Sequence, residues 1–367
     1  MKKVEESKIK QVGVIIQMYT IKQGDTVSLV AYKHRIRPID LLIANPFIRF
    51  EQDYLPPGKI VQLPSNASIE SEIPAADDLF CEFSLQQLED DRIKIEEFGV
   101  KASVIGFSVM AQPIYAWVIG TGEKKCFYSG GWHANEWHTS KFLSRFLLNC
   151  VKKLHSDERW HGFSLAELFT KVQLHIVPMV NPDGIDLVLQ GAYEGHPYKQ
   201  QLIKTNQGLT RFNHWSANIR GVDLNHQWPA GWKEEAEGSP NQPWPRHFGG
   251  PYPLSEPEAM AIYQYVKKEQ PEYVLAFHSQ GQVIYWGYRG LESKASAEMV
   301  KKLCQASSYS AIQTADSDAG FKDWFIKETR KSGFTIEVGT GTNPLPPQSF
   351  TEIWTNNVSL ALTGLSL

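Results

Sequence analysis

Four cysteines in 367 residues, Cys81, Cys126, Cys150 and Cys304, form no CxxC pair and no short framework spacing. Neither a disulfide scaffold nor a cysteine-held structural metal is encoded, and the four read as buried thiols. No run of about 18 apolar residues marks a membrane-spanning helix. The apolar run nearest the start, Val12 to Ile16, is interrupted by Gly13 and is too short for a signal-peptide core. A cytoplasmic chain with no membrane partner is expected. Positive charge is not in surplus either: the net charge of -3 leaves no basic footprint for nucleic acid. Internal repeats are lacking. What is present, 42% hydrophobic and 21% charged residues, suits a large core plus a small module, with domains of ~100–200 residues as the prior.

Residues 1–17 read as an N-terminal extension and residues 18–64 as a self-contained unit. Tyr19-Thr20-Ile21 predicts a strand, and Thr26 caps a helix with Val27, Val30 and Ala31 on its apolar face. Pro38 opens a second helix carrying Ile39, Leu41, Leu42 and Ile43, which Asn45-Pro46 ends. Lys59 to Pro64 is a closing strand. This βααβ order, with the words YTIKQGDT, DLLIANP and LPPGKIVQLP, resembles a LysM domain. The resemblance implies binding to N-acetylglucosamine-containing glycan such as peptidoglycan. Residues 65–78, SNASIESEIPAADD, are polar and acidic and read as a linker.

Over residues 79–367 apolar strand runs alternate with amphipathic helical stretches, predicting an α/β domain. Leu85 to Ile95 and Lys141 to Val151 carry helical spacing, and strands are predicted at 103–106, 114–119 and 172–180. After the apolar Cys126-Phe127-Tyr128 comes Gly130-Gly131-Trp132-His133-Ala134-Asn135-Glu136. A His and a Glu three apart at a helix start also arise as a surface ion pair, so the rest of the chain must decide. Tyr273 to Phe277 runs into His278, and Phe334-Thr335-Ile336 runs into Glu337. In open α/β sheets ligands bind beyond the carboxyl ends of the strands, so these side chains meet if their strands are parallel neighbours. His133, Glu136 and His278 then make a His₂Glu zinc set with one position left for water. Glu337 is the candidate general base, its carboxyl raised by partial desolvation. Ser255-Glu256-Pro257-Glu258 reads as a capping box, which makes Glu256 and Glu258 helix-start carboxylates. The long connections 191–220 and 229–253 are candidate cleft walls.

GGWHANEW, VPMVNPDG, GVDLN at 221–225, YVLAFHS and FTIEVG resemble the zinc carboxypeptidase (carboxypeptidase A-like) family across nearly all of 79–367. The resemblance implies a mixed open sheet flanked by helices, one Zn²⁺ per chain and metallopeptidase activity, with His133, Glu136 and His278 on the metal and Glu337 catalytic. ANIRGVDLN, PLSEPEA and AGFKDWF are similar to bacterial γ-D-glutamyl-L-diamino acid endopeptidases. That similarity implies cleavage between γ-D-glutamate and meso-diaminopimelate, or another L-diamino acid, in peptidoglycan stem peptides or muropeptides; action on the wall during sporulation or after lysis is the accompanying expectation. Departures are visible: His226 stands where many relatives have an arginine, and Ser216 follows Trp215 where an arginine is common. Arg220 and Arg211 are candidates to replace that charge, although each also reads as a surface or structural arginine. Asn225 and His226 are expected to line the pocket, and Asp316, Asp318 or Lys322 to read the diamino acid. A carboxypeptidase or deacylase on other amides, and a wall-binding protein with a decayed catalytic domain, remain alternatives.

Overall fold

The computed structural model describes residues 10–11, 14–15, 17–34, 36–50, 53–64, 81–313 and 317–367. The expected linker at 65–78, most of the N-terminal extension and Asp316 lie outside the described residues. Strands β1 (Gln17–Thr20) and β2 (Ile60–Leu63) pair antiparallel and are joined through helices α1 (Val27–Lys33) and α2 (Pro38–Ala44). The hydroxyl of Thr26 accepts the Leu29 N–H at 3.1 Å, and Pro38 sits in the first turn of α2. Asn45 joins helix to strand. Its amide donates to the Leu41 and Gln62 carbonyls and its oxygen accepts the Gln62 N–H, each at 2.8 Å.

In the larger unit α3 (Leu85–Glu96), β3 (Ser103–Phe107) and β4 (Pro113–Ile119) lead into β5 (Lys124–Ser129), α4 (Trp137–Ser156) and β6 (Val172–Val177). There follow α5 (Pro182–Gln190), α6 (Pro257–Glu269), β7 (Tyr273–His278), β8 (Val283–Tyr285), α7 (Ser296–Ser307) and β9 (Ser310–Ile312). The chain closes with α8 (Phe321–Thr329), β10 (Ser332–Glu337) and α9 (Phe350–Leu365), and α1 of the small unit packs against α9. One 8-stranded sheet has the order β9-β8-β10-β7-β5-β6-β4-β3. Its middle four strands, β10, β7, β5 and β6, are parallel, and β8 and β4 run antiparallel to them. The sheet is mixed, as expected.

Every residue of β7 is buried. Tyr273, Leu275 and Phe277 enter one apolar cluster with α4, α7 and α9, while Val274 and Ala276 enter the other with α6 and α8. A strand covered on both faces reads as a continuous apolar run, which is why it was legible.

Two expectations need correction. Helix α6 starts at Pro257 with Glu256 in the cap position and no side-chain cap. The carboxamide oxygen of Gln227 accepts both the Glu256 N–H and the Ser255 hydroxyl, so a distant loop supplies what the local capping box would have given. Of the cysteines only Cys126 and Cys150 are buried; Cys304 is half-buried and Cys81 exposed. The connections 191–220 and 229–253 contain short helices, Lys199–Thr205 and Trp232–Gly238.

Glu258 is fully buried, accepting the Val109 N–H at 3.1 Å and the Asn218 amide at 3.4 Å. Burial, reinforced by Asp183 and Glu256, pushes its carboxyl up to about 7. A carboxyl raised in the folded state has its stabilising effect in full at acid pH and loses it as pH rises through that value. Glu258→Gln is therefore expected to gain about 1–3 kcal/mol over the parent near pH 8 and little near pH 5. Calorimetric Tm values at both pH conditions check this; an offset independent of pH would contradict it.

Candidate metal centre

Beyond Ser129 the chain reverses through Gly130 and Gly131. Gly131 has φ +62, and a Cβ there would meet the Ser140 hydroxyl at 2.2 Å, so this close approach to the start of α4 needs glycine. Its N–H donates to the Thr139 hydroxyl at 2.8 Å. The next residue, Trp132, is fully buried. Its indole N–H donates to the Ser129 hydroxyl, and its ring lies near-parallel to those of His278 and Phe321. The turn thus aims His133 outward while Trp132 backs His278. Glu136 occupies the cap position of α4.

His133 Nδ1 lies 2.8 Å from Glu136 Oε1 and 3.3 Å from His278 Nδ1, and His278 Nδ1 lies 3.2 Å from Glu136 Oε2. One ligand atom from each of the three residues falls within 4.8 Å of the others. Supporting contacts fix His133 and Glu136. His133 Nε2 faces Asp223 Oδ1 at 3.1 Å, and the Ser279 N–H donates to Glu136 Oε2 at 3.1 Å. The Asn343 amide reaches Glu136 Oε1 at 3.4 Å.

Burial works against the charge on Glu136, but His133 and His278 outweigh it and hold the carboxyl down to about 2. Burial lowers His278, keeping a neutral imidazole with a lone pair to offer. His133 is raised by Glu136 and Asp223 in spite of burial. Two imidazole nitrogens and a carboxylate converging in this way suit a divalent ion such as zinc.

Glu337, at the end of β10, has its Cα paired in register with that of His278. Burial and the charge of Glu136 push its carboxyl up to about 8, against the pull of His133. It lines a cavity of about 530 Å³ together with Asn225, His226, Tyr285, Asp318, Lys322 and Asp323. Four of the seven residues expected to meet substrate, Asn225, His226, Asp318 and Lys322, are therefore on this wall. Arg220 and Arg211 are not among its lining residues. The Arg220 guanidinium sits 3.5 Å from Glu256 at the start of α6, and Arg211 is exposed, its carbonyl accepting from Asn206. Lys322 is the buried cation of the cavity: its ammonium donates to the Gly287 carbonyl at 2.7 Å and lies 2.5 Å from Asp323. Asp318 pairs with Arg289 at 2.6 Å.

Sequence reasoning gave no role to Asp223, Trp132, Asn343 or Asp323. The aspartate was readable in the GVDLN word as a buried acid within a polar loop; the others required the fold.

A family model described as zinc carboxypeptidase matches residues 97–359, and one described as LysM domain matches residues 19–64. The chain is 43% identical over 268 residues to gamma-D-glutamyl-L-diamino acid endopeptidase 1 of Lysinibacillus sphaericus, covering 73% of this chain and 68% of that protein. It is 35% identical over 347 residues to the uncharacterized protein YqgT of Bacillus subtilis (strain 168), covering 93% and 84%. Among solved structures, bovine thrombin-activatable fibrinolysis inhibitor in complex with tick carboxypeptidase inhibitor superimposes with a TM-score of 0.63 at 19% identity, over 78% of this chain and 97% of that one. At that identity the likeness speaks for the fold alone.

Asp223→Asn should weaken metal binding by about 10–100-fold, because a carboxylate behind a ligating histidine fixes its tautomer and basicity. Competition with a chromophoric chelator measures this; unchanged affinity would remove Asp223 from the centre.

Proposed function

Since the chain belongs to the zinc carboxypeptidase family and carries a LysM domain, we propose that this hydrolase cleaves the bond between γ-D-glutamate and meso-diaminopimelate in peptidoglycan stem peptides. One observation carries the choice of substrate. The cavity beside Glu337 is lined by the buried ammonium of Lys322 and by the carboxylates of Asp318 and Asp323, and among the described residues by no arginine. The distal end of meso-diaminopimelate bears a carboxylate and an ammonium on one carbon, and a cavity presenting both signs of charge complements it. The name of the L. sphaericus relative supports the same bond.

His133, Glu136 and His278 would hold a zinc ion, which when bound would supply Lewis acidity toward water and the scissile carbonyl. Glu337 takes the proton of the attacking water and passes it to the departing amine. Its desolvated carboxyl, pushed up by burial, is matched to proton transfer near neutral pH. Asp223 keeps His133 in the tautomer that offers Nδ1 to the metal. Lys322 grips the distal carboxylate and Asp318 the distal ammonium, orienting the amide for attack. The LysM unit exposes Phe50 and Tyr54, apolar rings suited to stacking on sugar faces, and tethering to glycan raises the local concentration of scissile bonds.

Two variants test this reading. Glu337→Gln should keep its zinc, by metal analysis, and lose at least ~100-fold in kcat; an active variant reassigns the base. Lys322→Met should raise KM for the meso-diaminopimelate tripeptide by about 10–100-fold, the worth of one charge-assisted hydrogen bond, and leave the L-lysine analogue nearly untouched. Equal losses on both substrates would take Lys322 out of side-chain recognition.

A further inference from the structure

Beside the proposed catalytic centre stands a second group of donors, of which only Asp223 has a role in the steps above. Among the described residues, Asp223, His226 and His247 form the other trio whose ligand atoms all lie within 4.8 Å of one another. His226 Nε2 faces His247 Nδ1 at 3.4 Å and Asp223 Oδ2 at 4.0 Å. Tetrahedral zinc at 2.0–2.1 Å from its ligands sets neighbouring donors about 3.4 Å apart, so the two imidazoles already stand at the span of one such edge.

A second observation points to the same ligand. The other ring nitrogen of His226, Nδ1, faces Glu235 Oε1 at 3.1 Å. Metal-bound histidines characteristically turn their outer nitrogen to a carboxylate, which fixes the ring and strengthens the donor. Asp223 is held as a ligand would be: its Oδ2 accepts the His247 N–H at 2.9 Å and its Oδ1 the Asn225 N–H at 3.1 Å. These bonds fix the carboxylate against both neighbouring loops.

We propose that Asp223, His226 and His247 form a second binding site for a divalent transition metal of the zinc class, joined to the first through the Asp223 carboxylate. Oδ1 of that carboxylate supports His133 while Oδ2 faces the second trio. An ion drawing on Oδ2 weakens the support given to His133, and His226 carries its positive charge to the wall of the substrate cavity. His247 is exposed and Asp223 buried, so the second ion binds from solvent and more weakly than the first. The inference does not rest on the substrate proposed above.

Titration of the metal-free full chain with Co²⁺, followed by equilibrium dialysis and visible absorption, reads the site without any assay of turnover. Two equivalents should bind, the second with its own d–d bands. His247→Ala should keep the first equivalent, which also reports that the variant is folded, and weaken the second by tenfold or more. Glu235→Gln, which leaves all three donors in place, should weaken the second ion alone. Saturation of the unaltered chain at one equivalent under excess cobalt overturns the proposal. So does a second equivalent whose affinity His247→Ala leaves unchanged.

Discussion

The register of three parallel strands governs everything else at the centre. Between β7 and β10 the Cα of His278 lies opposite that of Glu337, and between β7 and β5 Ala276 lies opposite Ser129. Side chains alternate with period two, so a slip of one residue would move each strand's apolar set to the wrong face. Phe334 and Ile336 share a cluster with Leu275 and Phe277, while Val274 and Ala276 pack with Phe325 and Ile326 on the other face. The core therefore holds the register, and the register delivers one histidine, one glutamate and a glycine turn to a common edge. Trp132 then links core and centre, being buried in one and lying against the ring of His278 in the other.

Burying carboxylates next to one another is unfavourable unless their environments differ. Glu136 receives His133, His278 and the Ser279 N–H, and stays ionised. Glu337 receives burial and the field of Glu136, and is driven the other way. Pairs of acids pushed apart in this manner carry different chemical roles: one suits coordination, the other proton transfer. Asp223 is the third buried acid. It is held well below the ordinary carboxylate range, against burial, chiefly by His133 and His226. That ionised carboxylate is what ties His133 to the two segments bearing His226 and His247.

Much of this was legible in the sequence because the relevant residues follow apolar runs directly. His278 and Glu337 each terminate a β-strand, and the glycines before His133 mark a forced turn. The small unit was readable for the same reason, its turns and caps being local. Contacts between distant segments were not readable. Gln227 replaces a local cap at Glu256, and Arg220 spends its charge on that same glutamate, away from the cavity. Nothing in the spacing of Lys322 and Asp323 says that they face a cavity; adjacent residues on a helix point about 100° apart, and only the packing of α8 beside β10 settles it.

A shared edge that combines a candidate metal centre, a desolvated carboxyl and a cavity of mixed charge is the basis of the proposed γ-linked specificity. The central claim is tested most directly by mass spectrometry of the products formed by the zinc-loaded chain from L-Ala-γ-D-Glu-meso-diaminopimelate and from its α-linked isomer. The account predicts release of free diaminopimelate and L-Ala-D-Glu from the γ-linked tripeptide, with the isomer left intact. Cleavage of the α-linked peptide alone would contradict it.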